Sequence, residues 1–290
     1  MSDAPPPPGR QEPPAIDTTV SHVARIWNYW LGGKDNYEVD REVGDRITAI
    51  LPDVPRLARA SRALLGRAVR YLVAEAGIRQ FLDVGTGLPT VDNTHEIAQR
   101  LAPESRIVYV DHDPLVLAHA RALLTSTPEG ATAYVHADLR EPEAILRGAA
   151  GTLDLDRPVA LLLMGIMEFI TDDEEAYGIV RRLMDALPSG SHLVLYDGTN
   201  VIHGERSDRI AEVWNASGNA PLVLRSPERI AAFFDGLELV EPGVVACNRW
   251  RPDPAPPGGT GRETGEAGEA GEEEEEEEEE DAFCGVGRKP

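Results

Sequence analysis

Short apolar runs alternate with longer helical patterns between Gln80 and Asp197. Such alternation predicts strand–helix–strand units and a mostly parallel sheet. The fourth run, Val159–Met164, is apolar at every position, as expected of a central strand that is covered on both faces. The predicted strands are Phe81–Val84, Ile107–Val110, Ala133–Val135, Val159–Met164 and Leu193–Tyr196.

The chain on either side of this region has different patterns. Residues 18–78 predict a block of helices over one edge of the sheet. The three predicted helices are Ser21–Leu31, with Ser21 as the candidate N-cap, Val39–Leu51 and Pro55–Ala76. After the fifth strand, the sequence predicts a helix over Glu205–Ala216, a helix opened by Ser226-Pro227, and an extended segment over Leu237–Trp250 with a break at Pro242-Gly243.

The final apolar segment, residues 282–287, follows a run of acids. A frayed tail is one interpretation, and a strand that returns to the sheet is the one we favour. The acid run would then be a loop between the last two strands. The predicted organisation is a disordered Pro-rich tail (1–17), a helical lid (18–78), a Rossmann-like domain (79–257), a disordered acidic loop (258–281) and the last strand of that domain (282–290).

Composition narrows the function classes. The 290 residues hold 50 Asp and Glu against 28 Lys and Arg, for a formal net charge of -22. Such acidity argues against a nucleic-acid partner, because like charges repel. The acidic segment itself predicts solvated coil, with an interaction arm as the alternative.

Other features point to a cytoplasmic protein with no membrane partner. No run reaches the roughly 18 apolar residues that a membrane span needs. The first residues are polar and Pro-rich, unlike a signal peptide. Two cysteines form no disulfide framework, and the seven histidines are scattered, so no metal site is expected.

The first chemical motif, DVGTGLP from Asp83 to Pro89, follows the first strand directly. Gly85 and Gly87 allow a tight turn and a close approach to a ligand. A helix that begins near Pro89 or Thr90 would point its amide end into the same space. The acid at position 83 suits an ammonium group, and it distinguishes the motif from a dinucleotide fingerprint, as does the missing third glycine.

Two further acids follow the next two strands. Asp111 is placed to accept both hydroxyl groups of a ribose, although it could instead cap the following helix. Asp138 could accept from the amine of an adenine, with the backbone of Leu139 reading the ring edge, although a turn role is the alternative. An ammonium group, a ribose and an adenine together describe S-adenosylmethionine, whose positive charge suits an acidic protein.

The chain resembles class I S-adenosylmethionine-dependent methyltransferases in these three motifs. It is more closely similar to a bacterial S-adenosyl methyltransferase group, long classed as a domain of unknown function. The segments that carry this resemblance are SHVARIWNYWLGGKDNY (21–37), DVGTGLPTVDNT (83–94) and GVGRKP (285–290). The resemblance implies an α/β fold with a seven-stranded sheet whose last strand is antiparallel.

The resemblance also implies roles for residues. Asp83, Gly85, Thr86 and Gly87 would lie at the methionine part of the cofactor. Asp111 and His112 would lie at the ribose, Asp138 and Leu139 at the adenine, and Met164 and Gly165 beside the sulfonium. Asn36 and Tyr37, in a loop of the lid, are further candidate ligands. Arg25 could bind the methionine carboxylate or pair with Asp40.

Methyl transfer from a sulfonium is an in-line displacement, for which the protein aligns and desolvates the reactants. Glu168 and His203 follow the fourth and fifth strands and are the candidate catalytic residues. Many members of the group carry His where Glu168 stands, which puts turnover in question. We therefore expect a methyltransferase that acts on a small molecule, with a catalytically inactive cofactor-binding regulatory or interaction protein as the alternative.

Overall fold

The computed structural model describes residues 17–113, 116, 118–120, 125–254 and 278–290. The predicted Pro-rich tail, apart from residue 17, lies outside the described residues. So does the predicted acidic loop from 258 to 277.

One mixed sheet forms the centre of the molecule. The strands are β1 (Gln80–Val84), β2 (Arg106–Asp111), β3 (Ala131–His136), β4 (Ala160–Met164), β5 (His192–Gly198), β6 (Glu238–Leu239), β7 (Val245–Ala246) and β8 (Ala282–Arg288). They lie in the order β3-β2-β1-β4-β5-β8-β6, and β7 pairs with β8. Strands β1 to β5 run parallel to one another, and β8 runs antiparallel to β5. All five predicted strands and the returning strand are confirmed.

The described sheet has eight strands where seven were expected, because its last position is divided. Strand β6 pairs with Arg288 and Gly287, and β7 pairs further along with Cys284 and Phe283. A turn at Pro242-Gly243 separates them, closed by a hydrogen bond from the Gly243 amide to the Val240 carbonyl at 2.9 Å. The predicted extended segment is therefore two short strands that share the edge of β8.

Helices cover both faces of the sheet, because alternate strand residues point to opposite faces. The helices are α1 (Val23–Trp30), α2 (Glu38–Ile50), α3 (Val54–Ala74), α4 (Thr94–Leu101), α5 (Pro142–Ala149), α6 (Asp173–Asp185), α7 (Glu205–Asn215) and α8 (Pro227–Ala231). On one face, Leu82, Val108 and Leu161 pack under α5, α6 and α8. On the other face, Phe81, Ile107 and Leu162 pack under α3 and α4.

The N-terminal helices form a third packed cluster. Ile26 and Trp30 of α1 pack against Ile47 of α2 and Trp214 of α7. A buried ion pair joins α1 to α2, with Arg25 Nε 2.9 Å from Asp40 Oδ2. Helix α3 packs against the sheet through Leu64 and Leu72, while Val54 and Ala58 near its start join the cluster of α1 and α2.

Two predicted helix starts are wrong. Helix α1 begins at Val23 with His22 at the N-cap, so Ser21 does not cap it. The helix after β1 begins at Thr94 and not near Pro89 or Thr90. Asn93 and Glu96 form a capping box there, which satisfies the first amides of the helix. The intervening residues 88–93 are irregular, and the space beside Gly87 is open.

The end of the acidic segment is part of the folded core. Glu280 is buried and lies 2.9 Å from Arg56 through Oε1 and Nε. Asp281 is also buried, and it accepts from the Ile202 amide at 2.9 Å. These contacts hold the start of β8 against the rest of the domain.

Candidate functional site

A cavity of about 620 Å³ opens at the carboxyl ends of the parallel strands. We call the part formed by the loops directly after β1, β2 and β3 the sheet half. We call the opposite part the lid half; it comprises residues 20–31, the turn 166–170 after β4, and residues 218–221 after α7. Ten of the predicted ligands line this cavity: Asp83, Gly85, Thr86, Gly87, Asp111, His112, Asp138, Leu139, Met164 and Gly165.

Asp83 lies at the bottom of the sheet half. Its side chain is buried, and its Oδ2 accepts from the Thr94 hydroxyl at 2.6 Å. Burial raises the pKa of Asp83 to about 6, which the Thr94 hydrogen bond opposes. A cation placed beside this carboxylate would lower its pKa and favour the charged form, so the position suits an ammonium group.

Gly85 and Gly87 adopt the left-handed backbone conformation, with φ of +77° and +66°. A Cβ on Gly85 would stand 2.5 Å from Cγ1 of Ile166, whereas the space beside Gly87 is open. The Gly85 amide donates to the Val110 carbonyl at 2.9 Å. The glycine at position 85 thus lets Ile166 of the lid half pack closely against the turn of the sheet half.

Asp111 closes β2 and is oriented by two backbone amides. Its Oδ2 accepts from Gly87 at 3.1 Å and its Oδ1 from Asp113 at 2.9 Å. Burial raises the pKa of Asp111, and both hydrogen bonds oppose that shift. A carboxylate offers about four acceptor sites, so two remain for ligand hydroxyl groups. His112 beside it is largely exposed at the cavity mouth.

Asp138 is half-exposed in the cavity, next to the buried Leu139. Its Oδ1 accepts from the Arg140 amide at 2.8 Å, which is a turn contact. The second carboxylate oxygen has acceptor capacity for a ligand amine. The turn role and the ligand role are thus compatible at this position.

Asp83, Asp111 and Asp138 thus lie at or just after the ends of three neighbouring parallel strands, around one glycine turn. The family model for S-adenosyl methyltransferase matches residues 9–290. The chain belongs to this family. It is a methyltransferase that uses S-adenosylmethionine, with the Rossmann-like fold of class I enzymes.

Two solved structures resemble this methyltransferase over almost the whole chain. A DUF574 family protein from Streptomyces avermitilis MA-4680 is 46% identical, covers 95% of this chain with 100% of its own, and superposes with a TM-score of 0.85. A candidate methyltransferase from Thermobifida fusca YX is 37% identical, with 97% and 99% covered and a TM-score of 0.81. The search of curated proteins gave no match.

Two predicted ligands lie away from the cavity of this methyltransferase. The side-chain Nδ2 of Asn36 donates to Asn28 Oδ1 at 2.9 Å, which closes the loop after α1. Tyr37 is partly exposed, and the Arg25 guanidinium lies 5.2 Å from its ring centroid. Neither is among the residues that line the cavity. Arg25 is committed to Asp40, so the second interpretation of Arg25 is the correct one.

The two predicted catalytic residues also lie away from the cavity wall. Glu168 is buried behind the turn 166–170, where its Oε2 accepts from the Gly198 amide at 3.2 Å. His203 faces Asp281, with Nδ1 3.6 Å from Oδ2. Because neither side chain reaches the lining, the geometry does not support direct contact with a substrate.

Glu168 belongs to a buried charge cluster. Asp197 Oδ1 accepts from the Glu168 amide at 3.1 Å, and its Oδ2 lies 3.1 Å from Arg225 Nη1. Burial raises the pKa of Glu168 to about 8, with Asp197 adding to the shift. Burial also raises the pKa of Asp197 to about 7, but Arg225 opposes it. The Arg225 guanidinium contacts Asp197, so it favours the charged form of Asp197 more strongly than that of Glu168.

Sequence reasoning missed Arg62 and His22, which both line the cavity. Arg62 Nη2 donates to the Asp92 carbonyl at 2.9 Å, and its buried Nε has no partner among the described residues. His22 Nε2 lies 2.8 Å from Asp113 Oδ2. Arg62 lies on α3, the element directly before β1, and no motif marks it, since only the packing of this helix brings its side chain near Asp83.

The described residues form neither a metal-ligand cluster nor a membrane-spanning helix. Across the described ranges, no three His, Cys, Asp or Glu side chains converge as metal ligands would. Within the part of the chain that the structure describes, every helix is too short or too polar to serve as a membrane span.

Proposed function

We propose that this methyltransferase acts on a small molecule that binds in the lid half of the cavity. The observation that carries the proposal is that Asp83, Asp111 and Asp138 line one cavity of about 620 Å³ that α1 closes from the far side. A cavity of this size is in the range of sites for small molecules. The net charge of -22 disfavours a nucleic acid as the substrate.

The amino acid end of the cofactor would lie between Asp83 and Arg62. Asp83 would hold the ammonium group. Arg62 would hold the carboxylate, because its unpaired Nε belongs to a cavity-lining guanidinium near Asp83. This assignment gives Arg62 the role that Arg25 cannot fill.

The nucleoside part would occupy the loops after β2 and β3. Asp111 would accept the ribose hydroxyl groups through its free acceptor sites. Asp138 and Leu139 would bind the adenine, and Met164 and Gly165 would lie beside the sulfonium. The open space beside Gly87 lets the cofactor pass close to the backbone.

S-adenosylmethionine, when bound, supplies a methyl group on a positively charged sulfur. The chain contributes alignment and the exclusion of water. Ala24 of α1 packs against Leu88 and Val116, so the lid closes over the sheet half. The protein needs no cavity-lining base for an acceptor that ionises readily.

Calorimetric titration with S-adenosylmethionine and S-adenosylhomocysteine tests the site. We expect micromolar binding by the wild type, and a loss of about 100-fold in Asp111→Ala, because two backbone amides and the ribose lose their acceptor. Asp235→Ala, in an exposed turn, is the matched control and should bind normally. Absence of binding by folded wild-type protein would refute the proposal. Binding without methyl transfer to any of a broad metabolite panel would favour a regulatory role.

A further inference from the structure

The lid half of the cavity has a different chemical character from the sheet half. Its wall is dominated by aliphatic and aromatic side chains: Trp27, Leu31, Ile166, Phe169, Ile170 and Pro221. Among the described residues of this half, none contributes an Asp or Glu side chain to the lining. Because the protein has a net charge of -22, a cavity wall without a carboxylate differs from the rest of the molecule and bears on which ligands can bind there.

Packing fixes this wall before any ligand binds. Trp27 and Trp30 meet edge to face, with ring centroids 5.8 Å apart. Phe169 lies against Trp214 at 6.0 Å. Trp27 and Phe169 both pack, half-buried, on the cluster formed by α1, α2 and α7. Two rings held in this way offer flat apolar surface at little entropic cost.

Hydrogen bonds hold the third segment of the wall in place. Trp214 Nε1 donates to the Ala220 carbonyl at 3.0 Å, and the side-chain Nδ2 of Asn219 donates to Ser21 Oγ at 3.1 Å. These contacts connect residues 218–221 to both α7 and the lid.

Of the polar groups in this half, Asn28 Oδ1 is already engaged, whereas His22 Nδ1 is buried with no partner among the described residues. Asn28 Oδ1 accepts from the Asp35 amide at 3.0 Å and from Asn36. The carboxyl group of Glu168 lies behind the wall, on the Gly198 amide. A cationic acceptor would therefore lose its hydration in the lid half without gaining a counterion, which is costly.

We infer that the methyl acceptor is a planar, mainly apolar aromatic molecule without positive charge, bound against Trp27 and Phe169. The inference rests on the proposed function, because it assumes that the cofactor fills the sheet half. The aromatic rings favour a planar, apolar acceptor, and the absence of an acid from the described wall favours one without positive charge. The same geometry disfavours amines that are protonated at neutral pH.

The test is a binding titration with protein saturated by S-adenosylhomocysteine. The probes are 2-naphthol and 2-naphthylmethylamine, which share a ring system and differ in charge. We expect naphthol to bind more tightly by about tenfold, owing to the cost of desolvating the ammonium group. Trp27→Ala should weaken naphthol binding by about tenfold and leave the affinity for S-adenosylhomocysteine unchanged.

Two variants complete the design. Ala220→Asp adds a carboxylate at an exposed position of the wall and keeps the core intact; it should strengthen binding of the ammonium probe by about threefold. Leu239→Ala, in β6 and outside the cavity lining, is the matched control for loss of apolar surface and should change neither probe.

The outcomes separate the two proposals. Failure of the wild type to bind S-adenosylhomocysteine overturns the proposed function and this inference with it. Cofactor binding without naphthol binding, or tighter binding of the ammonium probe, overturns the inference alone. If Trp27→Ala does not fold, the response of the ammonium probe to Ala220→Asp decides: a gain supports the inference, and no change overturns it.

Discussion

The two halves of the cavity place their acids in opposite ways. In the sheet half, Asp83 and Asp111 line the cavity from the carboxyl ends of β1 and β2. In the lid half, Glu168 and Asp197 lie behind the wall, against the Gly198 amide and Arg225. All four follow or end parallel strands, so their position in the chain is equivalent. A position at the end of a strand therefore places a residue at the carboxyl edge of the sheet. The packing around that residue determines whether its side chain faces the cavity or the protein interior.

The largest effect is expected where the two halves meet, at Gly85. Gly85→Ala should lower the free energy of unfolding by about 3 kcal/mol, because a positive φ is combined with a contact of the new Cβ against Ile166. Binding of S-adenosylhomocysteine should fall by more than tenfold as the turn shifts, roughly 1.4 kcal/mol or more. Urea denaturation and calorimetry measure the two effects.

Gly87→Ala is the control for this substitution. Gly87 has a similar φ but open space around its Cα. Its loss should therefore be limited to the conformational strain, about 1 kcal/mol. Equal destabilisation of both variants would show that the Ile166 contact does not join the two halves.

An intermediate effect concerns the acids behind the lid half. The pKa of Glu168 rises from 4.5 to about 8 on folding, because the side chain is buried beside Asp197. The folded state therefore binds the proton more tightly, and its stability declines as the pH rises from about 4.5 to 8. Glu168→Gln, which mimics the protonated acid, should reduce this decline by about 2 kcal/mol, since the shift is shared with Asp197.

Urea denaturation midpoints across this pH range measure the effect. Glu205→Gln, at the exposed start of α7, should leave the pH dependence as it is in the wild type. An unchanged slope in Glu168→Gln would mean that the proton resides on Asp197 or that Glu168 is ionised in the fold.

The same contrast explains what could be predicted from the sequence. The sheet was predictable, because apolar runs locate the strands, and the three predicted acids line the cavity because each lies at or just after a strand end. Asn36 and Tyr37 lie outside the lining, because contacts with Asn28 and Arg25 of α1 hold their loop. His203 faces Asp281, 78 residues later in the chain, and Arg62 reaches the cavity only through the packing of its helix, so no local pattern marks either position.

The helix after β1 shows a further limit. The Pro89 position predicted a helix start, but Asn93 and Glu96 offer a capping box four residues later. Two reciprocal hydrogen bonds outweigh a proline at the first position. The sequence therefore contains two local signals for the helix start, and the capping box at Asn93 and Glu96 is stronger than the proline at position 89.

The smallest effect is expected at Arg62, the proposed ligand that reaches the sheet half from helix α3. Arg62→Gln should weaken S-adenosylhomocysteine binding by about tenfold, or about 1.4 kcal/mol, because a charge-assisted hydrogen bond to the carboxylate is lost. Binding of 5′-methylthioadenosine, which lacks the amino acid part, should stay unchanged. Arg59→Gln, exposed one turn earlier on α3, is the matched control and should bind both ligands normally. If Arg62→Gln weakened both ligands equally, Arg62 would hold the loop at Asp92 and not the carboxylate, and the sheet half would be built from strand ends alone.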